Sequence, residues 1–592
     1  MDSTLTNAPT KLRRSFLLVL TVYLLAGMHY FQHNQGGSGL ELPINLVAWV
    51  FISTLIGLGL WQISLNRKVY FPPALIAVSV MTLCLWIPML YPNNQFASLA
   101  LPRLLALSAG VLMLLAFFQF RFERRHINII CYLILVAVII EAAYGFSQRY
   151  FFEIGNWMGF NTTGYRRPYA IFQQPNPASS FFLFGPLISA YLICTNSKLK
   201  NWQLALITIS SAAAGWMVMQ NASRTSTIAY AISLVLMAPW LYQRARKAYL
   251  QTWLVACLLG VLVPYLAAIL ISGEAIEVAK SVSIRETIYF TCLLMIAAKP
   301  LLGWGYGGFD SHYHHQQLLY NQQGIINDFQ PNMAHPHNEL FLWGVEGGLL
   351  PVIAIVGFSL YLTKVMFSRG WKRGSFYFGL LFPILFHCMT EYPFYHAAVL
   401  WLLFLFVVFL VLHDTQALKS QNVLYDFALR CFAILIPILT SAFMLTGLKT
   451  VDLIVKYERN PEASVVLLEQ IVNPFPMLTK VEYNSMTYRL RAGLVLGLDD
   501  ELEAYVEWSK EKIANFPRPE LYHNLSLAYQ QLGQIQLSDN IRQQGRELFP
   551  KSSLLQAELP QSSATSSSSD TSQSQGIGLS EGKPTLSTAS SS

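Results

Sequence analysis

Apolar runs of about twenty residues, parted by short polar or basic stretches, recur from residue 15 to residue 449. A run of that length crosses a hydrocarbon core of about 30 Å. About thirteen can be placed, near 15–34, 43–64, 70–90, 101–120, 126–147, 177–195, 202–219, 226–242, 249–272, 338–363, 375–393, 396–413 and 425–449. Inside lipid every backbone group must be satisfied by the segment itself or by a closed barrel, so such runs are helices. The pattern predicts an all-α polytopic membrane protein. Transmembrane helices 1–9 occupy 1–272, a polar loop follows over 273–337, and helices 10–13 occupy 338–449.

Beyond 449 the pattern changes. Residues 450–556 are polar with helical spacing, and a Phe-Pro pair closes segments at Phe475-Pro476, Phe516-Pro517 and Phe549-Pro550. The last interval is 33 residues, close to the 34-residue tetratricopeptide period. Within it, LYHNLSLAYQQLG followed by QLSDNIRQQGRELFP resembles one helix–turn–helix unit, with Leu525, Ala528, Tyr529, Gly533 and Pro550 near the expected positions. A second, weaker unit precedes it. Stacked pairs of this kind leave a concave face that holds peptides; a cap that only packs on the membrane part is the other reading. The tail over 557–592 is rich in serine and threonine with scarcely an apolar residue, too little to offset chain entropy, and is expected to be disordered.

Composition agrees with this division. Of 592 residues, 54% are hydrophobic and 12% charged, about half the charged fraction of an average soluble domain. Cations set the orientation. Lys11, Arg13 and Arg14, then Arg67 and Lys68, Arg121 to Arg125, Lys198 and Lys200, Arg244 to Lys247, Lys364 to Arg373, and Lys419 fall in alternate connections, which are expected to be cytoplasmic. The N-terminus then lies in the cytoplasm, while 148–176, 220–225, 273–337 and everything after about 450 face outward. The first span has a basic flank but no small-residue cleavage site, which reads as a retained signal anchor. The net charge of +8 mostly reflects this bias. Nucleic acid is not an expected partner, because no soluble basic stretch is interleaved with aromatics. All seven cysteines lie in spans or in the apolar helix near 285–299; no disulfide framework or thiolate site is suggested.

Candidate chemistry concentrates between spans nine and ten. The segment opens with SVSIRETIYFTCLLMIAAKP, passes GWGYGGFD, reaches HYHH at 312–315 and ends at HPHNE. Pro336 disfavours helical geometry for His335, so the imidazoles of HPH are held at a helix entrance. Three readings of the histidines stand. They could be metal ligands, although no spacing fixes a geometry; they could be satisfied in an aromatic-rich interface; or a neutral imidazole could act as general base on a hydroxyl. Arginines supply a second signal. Arg149, Arg166, Arg167, Arg224 and Arg285 sit near outer ends of spans, where few cations are expected. Guanidinium matches phosphate oxygens bidentately and stays charged, which suits a lipid-linked pyrophosphate; snorkelling to headgroups is the alternative.

HPHNELFLWGVEGG at 335–348 resembles the signature of the O-antigen ligase superfamily, and more closely that of its protein-glycosylating branch, the bacterial protein O-oligosaccharyltransferases that glycosylate pilins and other proteins. RRPYAIFQQPNPAS at 166–179, NASRTST at 221–227, SIRETIYF and GWGYGGF resemble further segments of that branch. The resemblance implies a fold of the GT-C type at the bacterial inner membrane. It also implies an undecaprenyl-pyrophosphate-linked oligosaccharide as donor, transferred en bloc with inversion and without metal or other cofactor. The acceptor would be a Ser or Thr hydroxyl of a periplasmic protein such as a pilin.

Carried onto this chain, His337 matches the family's base, and Arg224 and Arg285 its paired pyrophosphate-contacting arginines. Arg166, Arg167, Gln174, Asn176, His335, Asn338 and Glu339 are expected to bind substrate. One departure is Pro351, where the ligase pattern expects a small or aromatic residue; it weakens a lipopolysaccharide-ligase reading more than a protein-transferase one. Ligation to lipid A core and O-antigen polymerisation remain alternative acceptor chemistries. A lipid-linked-oligosaccharide transporter would need charged groups in mid-span, and mainly Glu141 is seen within a span. A non-catalytic assembly factor would not need His337 or the arginines. The serine-rich tail is a candidate acceptor in its own right.

Overall fold

The computed structural model describes residues 12–163, 167–267, 269–270, 282–327, 333–461 and 464–557. The first half of the chain forms α1 (Arg13–Leu25), α2 (Pro43–Asn66), α3 (Pro73–Trp86), α4 (Leu101–Gln119), α5 (Arg124–Tyr150), α6 (Pro175–Thr195), α7 (Asn201–Gln220), α8 (Arg224–Arg244) and α9 (Lys247–Ala267). Then come α10 (Val282–Ala298), α11 (Phe309–Gln322), α12 (Glu339–Gly347), α13 (Leu349–Phe367), α14 (Trp371–Cys388), α15 (Pro393–His396), α16 (Ala398–Thr415) and α17 (Asp426–Arg459). The chain closes with α18 (Val466–Glu469), α19 (Leu478–Leu496), α20 (Asp499–Asn515), α21 (Pro519–Gln531), α22 (Ile535–Leu548) and α23 (Ser553–Gln556).

The protein is an all-α polytopic membrane protein. Among the described residues, eleven helices are long and apolar enough to cross a membrane. The other two expected spans correspond to α1, only 13 residues long, and α14, whose first turn carries Lys372 and Arg373. A helix apolar on every side belongs in the interior of a bundle, and α6 and α16 are buried along most of their length. Helices around them turn apolar side chains such as Leu258, Ile353, Leu360 and Leu439 outward. Close helix approach in lipid depends on small residues. At the crossing of α7 and α9, a Cβ on Gly260 would meet the Ala212 carbonyl oxygen at 2.4 Å.

Two features depart from a plain reading of hydropathy. A short antiparallel pair, β1 (Lys68–Phe71) and β2 (Lys419–Asn422), joins two connections at the basic end of the bundle. The single span expected over 338–363 is instead two helices, α12 and α13, broken at Gly348. Gly348 has φ +71° and ψ −160°, a conformation reached essentially by glycine alone. The break lets the Leu349 N–H donate to the Pro300 carbonyl at 2.8 Å. A Cβ on Gly348 would stand 2.5 Å from the Leu301 oxygen. The GWGYGGF loop is thereby stitched to α12, with Trp304 N–H on the Val345 carbonyl and Gly305 N–H on that of Glu346.

Past the bundle, α19–α20 and α21–α22 are antiparallel pairs sharing a core of Leu490, Leu502, Tyr505, Leu525, Ala528 and Tyr529. Gly533, at φ +73°, turns α21 into α22. The helix α17 runs unbroken from the bundle to Arg459, and its Val451 and Ile454 pack with Met477, the residue before α19. A second tie is the ion pair of Arg518 with Asp310 at the start of α11, 2.6 Å and largely buried on both sides. The Ser311 hydroxyl adds a bond to the Ala514 carbonyl at 2.6 Å.

Candidate active site

Opposite the basic end, the start of α12 is prepared by its own sequence. Asn338 is the N-cap, its side chain accepting from the Phe341 N–H at 3.1 Å and donating to the Met389 carbonyl at 3.0 Å. Just before it, His337 stands at φ +54°. A non-glycine residue there costs of order 1–3 kcal/mol and persists only where its surroundings enforce it. Three contacts do so. The His337 N–H donates to Nδ1 of His335 at 3.0 Å. The Tyr289 hydroxyl reaches both the His337 carbonyl, at 3.3 Å, and that of Met389, at 3.0 Å. The imidazole Nδ1 meets Oε2 of Glu391 at 2.7 Å.

Glu391 lies three residues past the end of α14 and is 8% exposed. Its other oxygen accepts from Arg285 Nη2 at 2.8 Å and from Asn176 Nδ2 at 3.2 Å. One carboxylate thus gathers side chains from α6, α10 and the HPH segment. Burial alone would raise its pKa; the charge and hydrogen bond of His337, with His387 and Arg285, overcome that and pull it down to about 2. An ionised Glu391 is acceptor-only, so the proton on Nδ1 of His337 points at it, and the neutral form of that ring would carry its lone pair on Nε2. This is the carboxylate–imidazole arrangement that orients a general base.

His335 cannot share that role. Its Nδ1 accepts a backbone N–H, and burial, reinforced by His337, holds its pKa well below the ordinary histidine value. It is a neutral prop for the His337 backbone. Tyr392 packs against both rings, at 4.3 Å from His335 and 5.3 Å from His337. Glu339 stands one turn away, with Oε1 at 4.0 Å from His335 Nε2.

The other candidates are placed as follows. Arg167 donates from Nε to the Asn221 carbonyl at 2.9 Å. Asn221 in turn donates to Ser179 Oγ at 2.9 Å and to the Pro175 carbonyl at 3.2 Å, fastening the α7–α8 turn to the start of α6. Arg224 opens α8 three residues later and is exposed. Gln174 is the N-cap of α6 and lines a neighbouring cavity. Arg166 lies outside the described residues. The structure therefore joins His337, Arg285 and Asn176 through Glu391, uses His335 and Asn338 to hold His337, and sets Arg167 and Arg224 at the adjoining helix ends.

The HYHH histidines make contacts of their own. His314 is fully buried against Phe549 of the C-terminal helices, His312 lies beside Trp304, and His315 bonds the Ser311 carbonyl at 2.8 Å. Among the described residues, no group of three or more His, Cys, Asp or Glu side chains is arranged to hold a metal ion.

Sequence reasoning missed Glu391, which was absorbed into the span expected over 375–393. A signal existed: an acidic residue after the C-terminal end of an apolar helix faces the negative pole of its dipole, so it needs a cationic or hydrogen-bonding partner from elsewhere.

Two family matches bear on this arrangement. Residues 209–362 match the family described as O-antigen ligase, and residues 376–564 match the one described as virulence factor membrane-bound polymerase, C-terminal. The first spans Arg224, Arg285 and the HPHNE segment; the second spans Glu391 and the C-terminal helices. No curated protein matched the chain.

Proposed function

We propose, for a chain that both matches support as a member of the O-antigen ligase superfamily of membrane glycosyltransferase-type ligases and polymerases, that it is a protein O-oligosaccharyltransferase. It moves a glycan en bloc from undecaprenyl pyrophosphate to a Ser or Thr hydroxyl of a periplasmic protein, pilins among them. The observation that carries this reading is the contact of His337 Nδ1 with Glu391 at 2.7 Å, with Arg285 on the opposite carboxylate oxygen. An oriented base and a cation for a leaving group converge on one buried anion.

In the proposed step Nε2 of His337 takes the proton of the acceptor O–H as that oxygen attacks the anomeric carbon. The bond from that carbon to the pyrophosphate oxygen breaks on the opposite face, giving inversion, and its electron pair departs with undecaprenyl pyrophosphate. Base assistance contributes about 10²–10⁴ in rate. Arg285 uses one of five N–H donors on Glu391, leaving others for phosphate oxygens, where preorganised charge lowers the barrier further. Arg224, exposed at the start of α8, is assigned to the same pyrophosphate. The site lies at the end of the bundle opposite the basic connections, which by the distribution of cations is the periplasmic side of the inner membrane, with the N-terminus in the cytoplasm.

The description of the second matched family favours one other reading, glycan polymerisation, in which the acceptor hydroxyl belongs to another lipid-linked glycan. The test is incubation of the purified full chain with a lipid-linked oligosaccharide and either a pilin-like protein or a second lipid-linked glycan, read by mass spectrometry. Glycosylated protein, lost in His337→Ala, supports the proposal. Elongated lipid-linked glycan without modified protein replaces it with the polymerase reading, and full transfer by His337→Ala removes the mechanism.

A further inference from the structure

Beside the His337–Glu391 centre lies an open cavity of about 250 Å³, bordered by the α1–α2 connection and by Met158, Gly159, Tyr169 and Phe172 between α5 and α6. Its wall carries the polar side chains of His33, Asn34, Gln35, Gln173 and Gln174, together with buried His396. Aromatic faces of Phe31, Tyr169 and Phe172 complete it. Among the described residues that line it there is no Asp, Glu, Lys or Arg. We propose that this cavity is the subsite for uncharged sugar residues of the donor glycan, beyond the sugar whose anomeric carbon reacts; this deepens the transferase reading and rests on it.

Three observations carry the assignment. The first is chemical. A carboxamide offers donors and an acceptor together, which pair with vicinal hydroxyls or an acetamido group, and aromatic faces cover the apolar C–H face of a pyranose. The described lining offers a pyrophosphate no counter-charge, whereas Arg285 stands at the reaction centre on Glu391. The second is position. His396 in the cavity wall packs on Tyr392 at 4.4 Å, and Tyr392 packs on His337 at 5.3 Å, so two packed rings link the cavity wall to His337. Gln174 and Asn176, on the cavity and on Glu391 respectively, share the first turn of α6.

The third is preorganisation. Asn34 Oδ1 accepts the Gly36 N–H at 2.9 Å, its amide donates to the Gln32 carbonyl at 2.9 Å, and Gln32 is tied to the Leu448 carbonyl at 2.9 Å. Across the cavity, Phe31 packs edge-on against Trp157 at 5.3 Å. Walls held this way recognise a ligand without first having to be ordered.

The test uses the full-length chain in nanodiscs with two donors, undecaprenyl-pyrophosphate-linked N-acetylglucosamine and the same lipid carrying a linear tetrasaccharide that begins with it. The variant pairs Gln35→Ala, an exposed site, with Gln173→Gly, which suits the φ of +59° at that position. For the tetrasaccharide donor KM is expected to rise fivefold or more with kcat within twofold, the monosaccharide donor being unaffected. Binding of the free tetrasaccharide, followed by saturation-transfer NMR, should be lost in this variant and kept in His337→Ala. Unchanged KM and unchanged binding overturn the proposal, as does a rise in the acceptor's KM alone, which would assign the cavity to the acceptor. If the parent chain transfers neither donor but binds the tetrasaccharide in a Gln35- and Gln173-dependent way, the transferase reading fails and the subsite stands.

Discussion

Replacing Glu391 by Gln is the sharpest probe of the reaction centre, because it preserves shape and removes one charge. In the parent the carboxylate accepts from His337, Arg285 and Asn176. The amide can accept from one side only, and its NH₂ turned toward His337 would donate to Nδ1, moving the imidazole proton to Nε2 and leaving no base. Even without that tautomer change, the imidazolium formed as the acceptor loses its proton would lack its counter-charge. Opposite unit charges about 4 Å apart interact by roughly 4 kcal/mol at an effective dielectric near 20, and about 1.4 kcal/mol is tenfold in rate. The expected loss in kcat is therefore about 10³-fold, within the range general bases supply. Single-turnover transfer from a lipid-linked donor measures it, with the thermal midpoint in detergent as the folding control. A folded Glu391→Gln protein with kcat within tenfold of the parent would refute the assignment of Glu391 as the group that orients His337.

Further outcomes follow from the same geometry. Because His337, with His387 and Arg285, holds the Glu391 pKa below the ordinary carboxylate value, its contribution to stability is present above the unfolded carboxylate range and is lost as pH falls through the lowered folded value. The gap in thermal midpoint between parent and Glu391→Gln should accordingly be widest above pH 5 and close toward pH 2. His335→Ala removes the acceptor of the partly buried His337 N–H and so loosens the backbone that presents the ring; kcat should fall about tenfold or more while KM for the donor stays within twofold, and an unchanged kcat would dispose of the propping role. Gly348→Ala should lower the thermal midpoint by several degrees, since the new Cβ meets the Leu301 carbonyl in a conformation that itself costs about 1–3 kcal/mol; a midpoint within one degree of the parent contradicts the tight packing there. Asp310→Ala should expose α11 and the start of α21 to faster amide exchange while α14 and α16 keep their protection, because Arg518 loses its buried partner.

Much of the architecture was legible because membrane insertion is read from local composition. A helix such as α16, AVLWLLFLFVVFLVLHDT, announces itself in any window of its own length, and so does the pairing of α21 with α22 through Leu525, Ala528 and Gly533. Less visible was the break within HNELFLWGVEGGLLPV. Its apolar residues run on past Gly348, and only the approach of the Pro300–Leu301 backbone makes a left-handed glycine necessary there. The HPH motif, the arginines and Asn176 could be nominated from their chemistry. Their grouping could not, because the residue that joins them, Glu391, is 54 positions from His337 and 106 from Arg285.

Sequence alone determined where the chain enters lipid, which segment carries ionisable groups to a membrane surface and where a helical appendage begins, since each depends on transfer free energies and helical periodicity within about twenty residues. Tertiary structure decided which imidazole meets Glu391 and which accepts a backbone N–H. That choice turns on a single buried carboxylate, to whose two oxygens Asn176 of α6, Arg285 of α10 and His337 just before α12 bring their donors at once.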